Sequence, residues 1–170
     1  MIRIRPANPC DAPVLPGIER SSGEIFRRWA GLEWIADDAV QSEERHRALI
    51  ADGVAFVATL EGYGIAAFLN GAVTPDALHI WQVAVHQDQQ RHGIGRRLIE
   101  AAQRHAANHG IPSLTLTTFR KVPWNEPYYQ RLGFITLDDR LLGARLRAVM
   151  DAEKQAGLPI AQRCAMRKTL

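Results

Sequence analysis

Val83-Ala84-Val85-His86-Gln87-Asp88-Gln89-Gln90-Arg91-His92-Gly93-Ile94-Gly95-Arg96-Arg97-Leu98 is the stretch whose reading decides the fold. It begins in an apolar run, Leu78 to Val85, that reads as a strand, and passes through a polar loop. Beyond Gly93 and Gly95, the residues Leu98, Ala101, Ala102, His105 and Ala106 recur at helical spacing, with Arg96, Arg97, Glu100 and Arg104 outside that stripe. A glycine lets backbone approach a ligand closely, and a helix N-terminus offers free N–H groups and partial positive charge. The stretch therefore predicts an anion site, although a tight strand-to-helix turn alone would use the same glycines. No Gly-Lys-Ser/Thr follows, which excludes a Walker loop, and Leu98 stands where a dinucleotide fingerprint needs its third glycine.

Outward from this unit, strand and helix signals alternate. Ile2 to Arg5 reads as a first strand, Asn8-Pro9 as the start of a helix towards Arg20, and Glu24 to Ala51 as an irregular helical region ending at Gly53. Val54 to Leu60 and Gly64 to Val73 form a hairpin around Glu61-Gly62-Tyr63-Gly64. Gly110 and Pro112 stop the central helix. Ser113 to Phe119 is a strand, Asn125 to Leu132 a short helix, and Phe134 to Leu137 the start of another strand. A helix from Arg140 to Ala156 and a strand from Gln162 to Lys168 close the pattern. The order is α/β with a mixed sheet centred on the Leu78 and Ser113 strands.

No repeat or linker divides the 170 residues, so one domain over residues 1–170 is expected. With 46% apolar and 23% charged residues the chain reads as globular, and its longest apolar runs are strand-sized. The opening MIRIRPANP has no apolar region after its charges, which predicts no signal peptide and a cytoplasmic location. Cys10 and Cys164 lie in no metal-ligand spacing, so both are expected as thiols and no metal is expected. A formal charge of +3 and a pI near 9.2 suit a polyanionic cofactor. No nucleic-acid motif accompanies that charge, so neither nucleic acid nor membrane is expected as a partner.

Gln90-Arg91-His92-Gly93-Ile94-Gly95 resembles the Gln/Arg-X-X-Gly-X-Gly/Ala motif of the GNAT acetyltransferase superfamily, and Tyr129-Gln130-Arg131-Leu132-Gly133-Phe134 is similar to its second signature. The resemblance extends over nearly the whole chain but is motif-specific only between about residues 78 and 134. It implies a mostly antiparallel sheet of about six to seven strands, splayed after the fourth, with helices on both faces. It also implies acetyl-CoA as cosubstrate. Backbone amides from Gln90 or Arg91 through His92, Gly93, Ile94, Gly95 and Arg96 would hold the pyrophosphate, with Arg91, Arg96 and Arg97 adding charge. The backbone of the Val83-Ala84-Val85 strand end, through Val83 and Val85, would pair with the pantetheine arm. Tyr129 falls at the general-acid position, while Tyr128 packs or lines the acceptor side. Asn125 either contacts the cofactor or caps its helix; the family's spacing to the Tyr is longer than the four residues found here.

The family's usual carboxylate before the glycine loop is replaced by Gln82, and an amide accepts no proton. His79, Glu24, Glu33 and Asp88 are the remaining candidate bases, although simple strand alternation puts His79 on the opposite face from Gln82. Without a base, the rate would follow the acceptor's own ionisation. The acceptor, a small amine, an amino acid or a protein amino group, is expected at the irregular region. Phe26, Trp29 and Trp34 stand there beside Glu24, Glu33, Asp37 and Asp38, a mixture suited to a cation. Two functions follow from the resemblance: an acetyl-CoA-dependent N-acetyltransferase working by direct attack on the thioester, or a non-catalytic acyl-CoA-sensing or partner-binding module. A homodimer is compatible with either.

Overall fold

The computed structural model describes residues 1–170 and holds a seven-stranded sheet in the order β1-β2-β3-β4-β5-β7-β6. The strands are β1 (Ile2–Pro6), β2 (Val54–Leu60), β3 (Gly64–Val73), β4 (Leu78–Val85), β5 (Ser113–Phe119), β6 (Ile135–Thr136) and β7 (Arg163–Thr169). Every pairing is antiparallel except β4 with β5. That parallel pair, joined through the helix α3 (Ile94–Asn108), touches only at Leu78 with Leu114 and His79 with Thr115, and then opens. The expected mixed sheet is thus present, and the splay falls after its fourth strand.

Helices cover both faces. On one, α3 buries Ile94, Leu98, Ile99, Ala101, Ala102 and Ala106 against Leu69, Leu78, Ile80, Leu114 and Met166, which accounts for the apolar stripe in the sequence. The short α4 (Glu126–Arg131) packs Tyr128 and Tyr129 onto the same core. On the other face lie α1 (Leu15–Gly23), α2 (Glu43–Asp52) and α5 (Ala144–Gln155). There Leu15 and Ile18 meet Val57, Phe68 and Ala84, while Leu146 meets Leu137 and Ala165.

The first helix is shorter than its sequence suggests. Asn8 caps a 3-10 turn, its side chain accepting from Cys10 N–H while Asp11 accepts from Asn8 N–H, and Pro13 keeps Pro9–Val14 out of the α-form. The region read as irregular resolves into 3-10 turns at Glu24–Arg28 and Glu33–Asp37 followed by α2, which Ser42 caps. α5 starts later than Arg140 because the Asp138 carboxylate accepts from the amides of Arg140 and Leu141, holding that segment as a turn.

One irregularity corrects the expectation for His79. β3 and β4 pair Gly71 with Ile80 but Asn70 with Gln82, so Trp81 is an extra residue, a β-bulge. Partners opposite one another point to the same face, and the neighbours Asn70 and Gly71 point to opposite faces. The bulge therefore shifts the alternation by one, and His79 shares its face with Gln82 and Ala84.

Candidate active site

The loop from β4 to α3 is held by two left-handed residues, Arg91 at φ 65° and Gly93 at φ 75°. Gly93 occupies the N-cap position without offering a side chain, and the first backbone bond of the helix runs from Arg97 N–H to Gly93 O at 3.1 Å. The amides of Arg91, His92, Gly93, Ile94, Gly95 and Arg96 find no acceptor within the protein. They form a row of free donors at the positive end of a helix of 15 residues, an arrangement that fits a pyrophosphate. A Cβ on Gly95 would stand 3.0 Å from the Tyr128 hydroxyl, so the bare backbone keeps this row open.

The end of β4 borders the same opening. His86 N–H donates to Ala66 O at 2.9 Å, which fixes the phase of the ladder. Ala84 consequently bonds to β3, whereas Val83 and Val85 turn their N–H and C=O groups away from it, to the side that β5 has vacated. The Val85 carbonyl accepts from Gln90 Nε2 at 3.1 Å, so the side chain of the motif's first residue braces the strand end.

Next to Tyr128, whose hydroxyl borders Gly95, Tyr129 stands on α4. Its carbonyl accepts from Leu132 N–H at 3.0 Å and from Phe134 N–H at 3.1 Å, and Gly133 at φ 91° donates to Gln130 O at 3.0 Å. This is a Schellman turn, in which only the residue after the cap must be left-handed. The Leu-Gly-Phe signature is thereby explained: the turn brings the Phe134 ring back within 5.7 Å of the Tyr129 ring and fixes it. The Tyr128 ring stands on Tyr129's other side at 5.3 Å. Burial pushes the Tyr129 phenol well above its usual range and raises that of Tyr128 as well, so both are protonated at neutral pH. The Tyr129 hydroxyl makes no hydrogen bond within the protein and is a free donor.

Asn125 precedes α4, but its side chain makes no capping bond, which leaves the capping role to its backbone alone. Its Oδ1 is buried without a partner, as is the Nε1 of Trp124. A buried acceptor with no donor is costly, and a ligand amide or hydroxyl would satisfy it.

Beyond the splay lies a cleft of about 210 Å³ lined by Glu19, Phe26, Asp38, Gln82, Val83 and Ala84 among others. Of the residues expected to receive an acceptor, Phe26 and Asp38 are there. Trp29 instead packs edge-on against Trp124 at 5.8 Å, and Trp34 is exposed. Glu24 and Asp37 are both bound by Arg27, at 2.8 and 2.7 Å. Glu33 accepts from Gly31 N–H, and Asp88 projects into solvent on the loop.

His79, despite sharing the face of Gln82, is poorly made for taking protons. Its Nδ1 lies 2.9 Å from Thr115 Oγ1 and 3.4 Å from the Arg145 guanidinium. Burial, aided by Arg145, lowers its pKa to about 4. With Asp76, which binds both Arg145 and Arg167 at 2.8 Å, it forms a closed polar cluster under α5.

Gln82 Oε1 accepts from Gln41 Nε2 at 2.9 Å, and Gln41 N–H donates to Glu19 Oε2 at 3.1 Å. Glu19 did not emerge from the sequence. The signal was present: Glu19 stands one turn after Leu15 and next to Ile18, on the inward stripe of α1, where a carboxylate needs a reason.

The fold is shared with several solved acetyltransferases. PaiA N-acetyltransferase from Thermoplasma acidophilum, solved in complex with coenzyme A, matches at a TM-score of 0.72 with 17% identity, over 100% of this chain and 99% of that one. The ribosomal-protein-S18-alanine N-acetyltransferase of Escherichia coli matches at 0.69 with 19% identity, over 99% and 94% of the two chains. Rv2747 of Mycobacterium tuberculosis, solved in complex with CoA and NLQ, matches at 0.70 with 16% identity, over 99% of each chain. At these identities the likeness is one of fold. The family model for the acetyltransferase (GNAT) family, however, matches residues 23–134, which contain the free amides of α3, the open edge of β4 and Tyr129; the chain belongs to that family and is an acyltransferase that uses acetyl-CoA.

Proposed function

We propose that the protein transfers the acetyl group of acetyl-CoA to a primary amine by direct attack of the amine on the thioester. The observation that carries this reading is the row of free amides from Arg91 to Arg96, set beside the outward-turned backbone of Val83 and Val85 and bordered by Tyr128, whose ring stands 5.3 Å from that of Tyr129. In this reading the amides hold the pyrophosphate, Gln90 braces the strand end, and Val83 and Val85 bond the pantetheine arm as an added strand. Ala84 contributes its buried side chain to the wall rather than a backbone bond. Asn125 Oδ1 accepts a donor from the cosubstrate. Tyr129, neutral and unbonded, protonates the departing sulfur.

The acceptor enters from the opposite side, through the cleft lined by Glu19, Phe26 and Asp38. Carboxylates and an aromatic ring favour an ammonium over an anion. A small amine, an amino acid or a protein amino terminus each meets that requirement. No helix is long and apolar enough to cross a membrane, and both cysteines are free thiols; we place the reaction in the cytoplasm, with no nucleic acid or membrane partner.

The test is release of CoA thiol from acetyl-CoA across a panel of alkylamines, amino acids and short peptides, with the product identified by mass. A wild-type protein that binds CoA but acetylates none of them would support the sensing module instead.

A further inference from the structure

Gln82 leaves the family's usual base position without a carboxylate, yet the structure supplies one from another element. We infer that Glu19 deprotonates the incoming amine, with His46 behind it as a positioning residue. This rests on the acetyltransferase reading.

Glu19 leaves α1 towards the cleft that also contains Gln82, Val83 and Ala84, the strand segment along which the thioester would lie. Its side chain retains only 14% exposure. The two carboxylate oxygens have different surroundings. Oε2 accepts from Gln41 N–H and lies 3.4 Å from His46 Nε2. Oε1 has no protein partner and is not enclosed, so it is the oxygen free to meet an ammonium. His46 comes from α2, is 1% exposed, packs edge-on to Phe68 at 5.0 Å, and has no hydrogen-bond partner at Nε2 other than this approach to Glu19.

Gln41 bonds both Gln82 and Glu19, through its side chain and its backbone N–H, and so ties the amide at the family position to the carboxylate that replaces it. Of the charged groups around Glu19, His46 faces it from α2, and Arg20 and Asp38 line the same cleft; Gln41 and Gln82 are neutral. Of the acids suggested by the sequence, Glu24, Asp37 and Glu33 are engaged elsewhere and Asp88 stands in solvent on the loop after β4, while Asp38, which shares the cleft, accepts from Ala39 N–H.

The proton balance closes. Glu19 Oε1 takes one proton from the ammonium, leaving a neutral amine and a carboxylic acid. The nitrogen lone pair forms the C–N bond to the thioester carbon, and the C–S bond breaks with its pair on sulfur. Tyr129 gives its hydroxyl proton to that sulfur, and its phenolate takes the second proton from nitrogen. A neutral amide, free CoA thiol and restored Tyr129 result, and Glu19 returns its proton to water.

The experiment compares wild type, Glu19→Gln, His46→Leu and His46→Gln. The acceptors are benzylamine and methoxyamine, together with the fastest amine of the panel. Methoxyamine is largely unprotonated at neutral pH and needs no base. Glu19→Gln should lose about 10²-fold in kcat/KM with benzylamine at pH 7, the low end for acid–base catalysis, and much less with methoxyamine. Its profile should climb towards the alkylamine's own pKa, near 10, where the wild type levels off earlier. His46→Leu should move that levelling to higher pH, and His46→Gln, which keeps an N–H donor near the Nε2 position, should move it back. Acetyl-CoA affinity and melting temperature, measured alongside, should match wild type in Glu19→Gln.

A wild-type profile that already climbs to the amine's own pKa, or Glu19→Gln turning over both amines normally, overturns the role of Glu19 and leaves the transferase reading standing. A wild type that acetylates no amine overturns the transferase reading, and the role of Glu19 with it. Unshifted levelling in His46→Leu overturns the part assigned to His46.

Discussion

On the α3 side of the splay the ligand surface is made of backbone: amides without acceptors, glycines without side chains, and a strand edge without a neighbour. On the α1 side it is made of side chains, contributed by α1, α2, β4 and the segment before α2. The two halves therefore answer differently to substitution. A backbone site tolerates changes of side chain but not an added Cβ in the wrong place, whereas a side-chain site is destroyed by a single isosteric exchange.

The largest effect should follow from adding atoms to the backbone half. Gly95→Val brings branched carbon against the Tyr128 hydroxyl and over the free amides. Loss of two charge-assisted bonds of about 1.5–3 kcal/mol each corresponds to a hundredfold or greater fall in CoA affinity. Calorimetric titration on the folded variant measures it, and an unchanged affinity would break the assignment of this half.

Tyr129→Phe comes next, with kcat lowered about 10²-fold and the KM for acetyl-CoA little changed, because a donor to the leaving sulfur matters chiefly in the transition state. If Tyr128→Phe shows that loss instead, the two rings have been assigned the wrong way round.

Asn125→Ala sharpens the comparison, because it separates ligand contact from capping. A capping side chain would be missed by about 1 kcal/mol of stability. With no capping bond and a buried orphan oxygen, the exchange should leave stability unharmed while CoA affinity falls about tenfold.

The smallest effect concerns His79, which stands on the face of Gln82 but belongs to neither half. Its folded pKa of about 4 lies below the usual value of about 6.5, so the unfolded chain binds more protons between those limits. Stability is fully present above that window and is lost as pH falls through it, by about 1 kcal/mol at pH 5.5. His79→Leu should remove this slope from chemical denaturation midpoints between pH 7 and 5. The losses from Asp11 and Asp76, whose carboxyls are held low by Arg5 and Arg145, come only at lower pH.

The same contrast explains what could be read from the sequence. Gly93 and Leu132-Gly133-Phe134 announce left-handed caps and a helix stop, and Gly95 a close approach of backbone, all features whose meaning lies within a few residues. Strand and helix positions were equally local and were legible, from Val54 to Phe119 almost residue for residue. Glu19, Gln41, His46 and Gln82 meet through tertiary packing, and no local pattern links them. The region holding Phe26 and Trp29 looked like an acceptor site because its residue types were right. Their partners were invisible: Arg27 takes two of the acids, and Trp124 takes Trp29. His79 failed for another reason, since a bulge leaves little trace in the residues that make it.

That bulge makes Trp81 a residue that the ladder leaves unpaired. Because Trp81 is the residue without a partner, deleting it would join the pairs Gly71–Ile80 and Asn70–Gln82 into one regular ladder, with Gln82 and Ala84 still facing α1 and Val83 and Val85 still facing α3. Exchanging the exposed indole for another residue leaves the register alone. A change of length by one at this position is therefore absorbed by the bulge, and homologous chains that differ here would present the same wall to their substrates, whereas a residue gained or lost between Gln82 and Val85 would reverse it.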